Sequence, residues 1–302
     1  MDLLEKFNAL TVETDTRISP SDKDFCEKHQ AAYEAAIQSF RELLFFWEDM
    51  EKTQRELLAG QTDPPASDMT YLTSRNGPEI STNKINGHIE SLHREFISNL
   101  VHYFNSTYNV SLSARDVADK LLPQEPEERS YPRNKEVIQK YHEELQSISV
   151  QYQDIVEQIM FCLDGRSFSE QAFYELAAKC HKAAWNTYQR TAEYERKKST
   201  IRFTGYHCNV RNWGYQDEWE LNDGMKDVLR GVAHFETGAF AVYPLGFSEL
   251  LGYSRTTDNE QEFPSCKKVK RLKMFKSGRV DIYFSSEAYA EEFVNKYLGT
   301  VC

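Results

Sequence analysis

One apolar stripe constrains this chain more than any other feature. Tyr33, Ile37, Phe40, Leu44 and Trp47 recur at spacings of four, three, four and three, the period of a helix with a single buried face. The pattern predicts a helix over 23–58, ended by Asp63-Pro64-Pro65 because proline cannot continue a helical hydrogen-bond ladder. A second stripe, Ile85, Ile89, Leu92, Phe96, Leu100 and Tyr103, predicts a helix over 82–106. Two long helices with one apolar face each must cover those faces, and packing on one another does so.

Further helices follow from caps and periodicity. Ser113 with Asp116 opens a short helix over 114–122. Val137, Tyr141, Leu145, Ile148, Tyr152, Ile155 and Ile159 predict one helix over 134–163, closed by Asp164-Gly165. Ser167 and Glu170 form a capping box for a helix over 169–197. The period then changes. Ile201 and Phe203 predict a strand, 211–221 reads as irregular and aromatic, and a helix over 222–236 stops at Gly238. A short helix near 246–252 precedes a β-hairpin over 268–284, with Lys276-Ser277-Gly278 as its turn. Val280, Ile282 and Phe284 alternate with Arg279, Asp281 and Tyr283, which predicts one buried face. Ser285 or Ser286 caps a last helix to about Leu298. The fold class is therefore α+β, predominantly helical, with a small C-terminal hairpin or sheet packed on helices. The proline-rich, charged segment PQEPEERSYP at 123–132 divides a helical N-terminal region, 1–125, from a helix-plus-hairpin region, 126–302.

Charge and cysteine usage narrow the setting. The net charge of −11 over 302 residues repels phosphate and suits either solubility or a basic protein partner. The six cysteines are scattered and contain no CxxC pair, so they do not read as a disulfide framework. The opening MDLLEKFNALTVETD lacks the basic and apolar regions of a signal peptide. The longest apolar run, Leu43-Leu44-Phe45-Phe46-Trp47, is far too short to span a bilayer and lies within the first helical pattern. These features predict a cytoplasmic protein that does not engage membranes.

Three groups of residues stand out as candidate sites. Seven of the thirteen residues from Lys267 to Arg279 are basic: Lys267, Lys268, Lys270, Arg271, Lys273, Lys276 and Arg279. Such a hairpin can contact phosphates, pair with the acidic surface of another subunit, or be a solvated edge guarded by lysines. Tyr206, Trp213, Tyr215 and Trp219 form an aromatic stretch that suits either an interface or the core beneath a loop. Cys180-His181 and His207-Cys208 carry zinc-ligand chemistry, but adjacent helical residues point about 100° apart, and structural zinc sites use wider gaps. His88, His93 and His102 offer no pair one helical turn apart. The sequence holds no GxSxG, Walker loop, HExxH or GxGxxG. No catalytic residue, metal or cofactor is expected.

Three segments together resemble a known family: INGHIESLHREFISNLVHYFNSTY at 85–108, ELNDGMKDVLRGVAHFETG at 220–238 and VKRLKMFKSGRVDIYF at 269–284. In this order they look like the bacterial and phage family called domain of unknown function 4942, over roughly the last two-thirds of the chain. Arg279 stands where that family usually has asparagine after the turn glycine. The resemblance implies an accessory protein of a phage or mobile element. With the acidic charge and the missing catalytic motifs, it leads to the expectation of a non-enzymatic protein that blocks a host protein, while the long amphipathic helices and abundant aromatics favour a homo-oligomer. A DNA-cleaving defence complex of the Gabija type is an example of such a target. The alternative is a nucleic-acid-binding accessory protein that uses the basic hairpin.

Overall fold

In a computed structural model of the chain, residues 18–59, 80–124, 126, 135–212, 217–240, 242–252 and 255–299 are described. The fold is α+β and mostly helical, as the periodicities predict. It divides into two compact units, one made of 1–107 with 112–165, the other of 108–111 with 166–302. The division after Gly165 differs from the composition boundary at 125. Most of the proline-rich segment lies outside the described residues, as does Asp63-Pro64-Pro65.

The first unit holds α1 (Pro20–Leu57), α2 (Thr82–Tyr108, all but its last residue), α3 (Ala114–Leu121), α4 (Lys135–Ser147) and α5 (Tyr152–Cys162). Ser19 caps α1 through a complete capping box with Asp22, and Pro20 sits where its missing N–H is not needed. Asp22 is buried and also accepts a 2.7 Å hydrogen bond from the Tyr103 hydroxyl on α2. Phe25 stacks on Tyr103 and Tyr33 on Phe96, so α1 and α2 meet along aromatic contacts.

The helix predicted over 134–163 is two helices, broken at 148–151. Side chains from the other helices satisfy the backbone at the break. Gln30 donates to the Val150 carbonyl (3.1 Å) and accepts from the Tyr152 N–H (2.8 Å), while Arg41 donates to the Ile148 carbonyl (2.7 Å). The Val150 N–H donates to the Tyr33 hydroxyl at 3.3 Å, and Tyr33 lies 2.8 Å from Nδ1 of buried His93. The His93 Nε2 is 2.9 Å from the Leu145 carbonyl. A carbonyl only accepts, so Nε2 carries the proton and Nδ1 accepts from Tyr33. Periodicity missed the break because the apolar spacing continues through it. The hydrogen bonds that replace the helical ladder come from residues 52 to 122 positions away.

The second unit begins with α6 (Phe168–Ala183), shorter than the predicted 169–197. Beyond it a small hairpin forms, β1 (Trp185–Asn186) with β2 (Thr191–Ala192). The Asn186 side chain accepts from the Tyr188 and Gln189 N–H groups (3.0 Å each), a turn-forming bond that competes with helix. The main sheet has five antiparallel strands in the order β3 (Tyr194–Lys197), β4 (Thr200–Phe203), β9 (Val280–Phe284), β8 (Val269–Met274) and β7 (Glu260–Glu262). The stretch read as irregular is a third sheet, a hairpin of β5 (Cys208–Asn212) and β6 (Asp217–Leu221). Helices α7 (Asp223–Thr237), α8 (Phe247–Leu251) and α9 (Glu287–Phe293) complete the unit, with α9 running into a π-helical turn, Val294–Leu298.

Ile201, Phe203, Leu272, Met274, Val280, Ile282 and Phe284 form the inner face of the sheet and share a core with Phe235, Phe293 and Tyr297. Each fully buried side chain of this size contributes about 1.5–3 kcal/mol. Gly231 lets α6 and α7 approach closely, since a Cβ there would lie 2.5 Å from the Cys180 Sγ. Strand β9 departs from the single buried face predicted for it. It is the middle strand, and Asp281 on the outer face is only 2 % exposed.

Burial is the first cause that lowers the pKa of His93, and the positive charge of Arg41 adds to it, against the Leu145 carbonyl. The unfolded chain, with an ordinary histidine pKa of about 6.5, therefore binds the proton before the folded one does. Stability should fall as pH drops from about 6.5 towards the lowered folded value. His93→Gln should flatten, without abolishing, that slope in pH-resolved urea melts, because buried His207 and half-buried His234 shift the same way. Tyr33→Phe should cost about 2 kcal/mol or more at neutral pH, since it strands both the His93 Nδ1 and the Val150 N–H.

Candidate functional site

The basic hairpin supplies two adjoining interior strands of the second unit's main sheet, β8 and β9, and its fold engages five of its seven cations. Arg271 and Lys273 are cross-strand neighbours of Glu262 and Glu260, and both reach Glu260, at 2.6 and 2.7 Å. The hydrogen bond from Lys273, with the charge of Arg271, holds the Glu260 carboxyl below its usual range. Arg271 also lies over the Tyr283 ring, at 4.3 Å. Lys276, in the turn, pairs with Asp217 at 2.6 Å. Arg279 covers the Phe275 ring at 3.6 Å and approaches Asp281 at 3.2 Å, while Arg202 on β4 approaches the same oxygen at 3.4 Å. The Nε atoms of both arginines lack a well-aligned hydrogen bond, so these contacts are ion pairs. Lys268 donates to the Phe235 carbonyl at 2.6 Å and sits over that ring. Among the described residues, the side chains of Lys267 and Lys270 alone in the group have no such partner, and both are exposed.

The backbone of Lys267 and Lys268 has a structural task. Three successive N–H groups, from Lys267, Lys268 and Val269, donate to the Glu236 carboxylate at 2.6, 2.8 and 3.2 Å. Charge-assisted bonds of this kind are the stronger ones. They fasten the end of α7 to the start of β8.

The four aromatics divide. Trp219 is buried, because β6 turns it and Leu221 inward and the two glutamates, Glu218 and Glu220, outward. The interface reading therefore does not extend to Trp219, which belongs to the core. Tyr206 is 84 % exposed and lies against Gly278, whose φ of +85° forms the turn. Trp213 and Tyr215 lie outside the described residues.

The cysteine–histidine pairs do not converge. Cys180 bonds to the Asp227 carbonyl, and burial pushes its thiol pKa up. The Cys208 thiol faces the Phe275 carbonyl at 3.5 Å. His181 faces the Leu298 carbonyl at 2.9 Å, and buried His207 stands 3.9 Å from Glu193. Among the described residues, no three histidines, cysteines or carboxylates gather as a metal site. A surface hollow of about 300 Å³ over the β5–β6 hairpin is lined by Asn209, Val210, Arg211, Glu218, Glu220 and Arg255. Arg255 bridges both glutamates, at 3.3 and 3.4 Å, so they are engaged in ion pairs.

A different surface emerges on α1. In the run Leu43-Leu44-Phe45-Phe46-Trp47, only Leu44 and Trp47 enter the core. Phe45 is 75 % exposed and Phe46 58 % exposed, with Leu43 also at the surface. The signal was legible: at about 100° per residue, five successive apolar residues cannot share one face. Among the described residues, no helix is long and apolar enough to cross a membrane. No protein-family model, curated protein or solved structure matches the chain.

Glu236→Ala should destabilise the second unit by on the order of 2 kcal/mol, because three backbone donors lose a charged acceptor. Urea unfolding followed by circular dichroism, with the parent chain as reference, measures it.

Proposed function

We propose that this chain is a non-enzymatic binding protein that engages another protein and blocks it. The reading extends to an accessory role in a phage or mobile element, directed against a host defence enzyme that targets DNA, such as a Gabija-type complex. One observation carries the protein-binding part: the large apolar side chains of Leu43 and Phe46, one turn apart on α1 and both exposed, with Phe45 exposed on an adjoining face. Single exposed apolar residues are ordinary, but two that share one helix face, with a third exposed ring beside them, suit a protein contact. The acidic net charge favours a basic partner surface. The family resemblance supports the accessory role.

The nucleic-acid alternative draws less support. A phosphate-binding strand needs free cations, and five of the seven hairpin cations are already engaged by carboxylates, rings or a carbonyl.

The test is a tagged pull-down from bacterial lysate, with and without nuclease, read by mass spectrometry. A host protein retained at stoichiometric level after nuclease is expected. Nucleic acid alone, with every protein lost after nuclease, would sink the proposal. In that case Lys267→Glu with Lys270→Glu should weaken nucleic-acid binding, since these two cations are the ones left exposed.

A further inference from the structure

The α1 surface carries information about the chemistry of its partner. Ser39, Glu42, Leu43, Phe46, Asp49 and Met50 follow one another at spacings of three and four, or as neighbours, so they form one continuous patch on the helix. Leu43 and Phe46 supply apolar area. Glu42 and Asp49 flank Phe46, one turn before it and one turn after, and both are exposed. The cations of this stretch of helix point elsewhere, although Arg41, bonded to a neutral carbonyl, keeps its charge. Arg41 donates to the Ile148 carbonyl at 2.7 Å, Lys52 faces Glu56 at 3.9 Å, and Arg55 faces Glu51 at 3.4 Å. Glu42 accepts a hydrogen bond from Gln38, which leaves its charge in place. Among the described residues, no ion pair reaches Glu42 or Asp49.

Bringing an apolar, neutral surface onto this patch would desolvate two uncompensated carboxylates. An acidic surface would add repulsion. A partner with lysine or arginine beside its apolar residues would cover Leu43 and Phe46 and neutralise Glu42 and Asp49 in the same contact. The patch is one helix-face wide, which suits a helix laid alongside α1.

We infer that the Glu42–Met50 face of α1 is the docking surface for a basic amphipathic helix of a partner protein. The inference rests on the protein-binding reading above and names the chemistry of the partner at that site.

The probe is a fluorescein-labelled synthetic helical peptide with leucine at the apolar heptad positions and lysine elsewhere. Its control has glutamate in place of lysine. Fluorescence anisotropy with the full chain measures both. The lysine peptide should bind at least about tenfold more tightly than the glutamate peptide. Phe46→Ser, and separately Glu42→Lys with Asp49→Lys, should each weaken the lysine peptide by about tenfold. Glu143→Lys with Glu144→Lys makes the same charge change on the exposed side of α4 and should leave binding within about twofold. Unchanged circular dichroism confirms that each variant is folded, since all five positions lie at the surface.

Equal affinity for the two peptides would overturn the inference, as would equal loss in the Glu143, Glu144 variant, which would make the attraction a property of net charge. A concentration-dependent dimer of the chain that is lost on Phe46→Ser would assign the face to a second copy and also overturn it. The two proposals fail separately. If Phe46→Ser retains the same nuclease-resistant host protein as the parent, the docking face is wrong and the protein-binding reading stands. If neither chain retains one, the protein-binding reading itself falls.

Discussion

The first unit depends on one buried histidine remaining neutral. His93 sits on α2, takes a proton bond from Tyr33 on α1 and donates to the end of α4 at Leu145. Tyr33 in turn receives the Val150 N–H, in the connection that leads to α5. Four helices are thus joined through two side chains and two backbone groups. Apolar packing brings these helices together, but it is not directional. The histidine supplies direction: with one nitrogen donating and the other accepting, only one arrangement of the surrounding groups satisfies all of them. Gln30 and Arg41 hold the same connection from neighbouring turns of α1, so the helix that carries the exposed patch also fixes the break between α4 and α5.

The second unit solves a different problem. Its sheet is covered on the inner face by α7, α9 and the π-helical turn, and its outer face must tolerate water without exposing a long row of apolar groups. It does so with charge pairs across strands. Asp281 lies between Arg202 and Arg279, Glu260 between Arg271 and Lys273, and Lys276 ties the hairpin turn to Asp217. The more exposed pairs, those of Glu260 and Lys276, contribute little stability each, about 0–1 kcal/mol. Their larger consequence is for function. The charge pairs engage four of the seven positive charges in the thirteen-residue segment with carboxylates, which reduces its field without cancelling it. A charge run read without its partners overstates the field it produces.

The two surfaces that drew interest therefore exchange places. The hairpin, conspicuous in composition, is largely occupied with its own fold. The α1 run, unremarkable in composition, has carboxylates without cations and aromatic rings in solvent. Free energy is available for binding where the fold has left groups unsatisfied or wet, and on the described surface of α1 that condition holds.

Local chemistry wrote much of the fold into the sequence. The periodicities of α1 and α2, the serine caps at Ser19, Ser113 and Ser167, the stop at Gly238 and the turn at Gly278 each depend on neighbours within a few residues, so the order of residues fixes them. Tertiary structure decided the rest. The break at 148–151 exists because distant side chains offer its backbone better partners than its own helix does. The strands at 185–197 replace a predicted helix because Asn186 and the pairing of β3 with β4 outcompete weak local periodicity. Asp281 on the outer face of β9 is buried because β9 is a central strand and Arg202 from β4 and Arg279 reach over it, which alternation along one strand cannot reveal. The fate of four hairpin cations turned on acids lying 2 to 59 residues away in sequence, Asp281, Glu260 and Asp217. Sequence determines which groups must be buried or capped, because those demands are local. Which charge meets which is settled only when distant strands and helices are brought together.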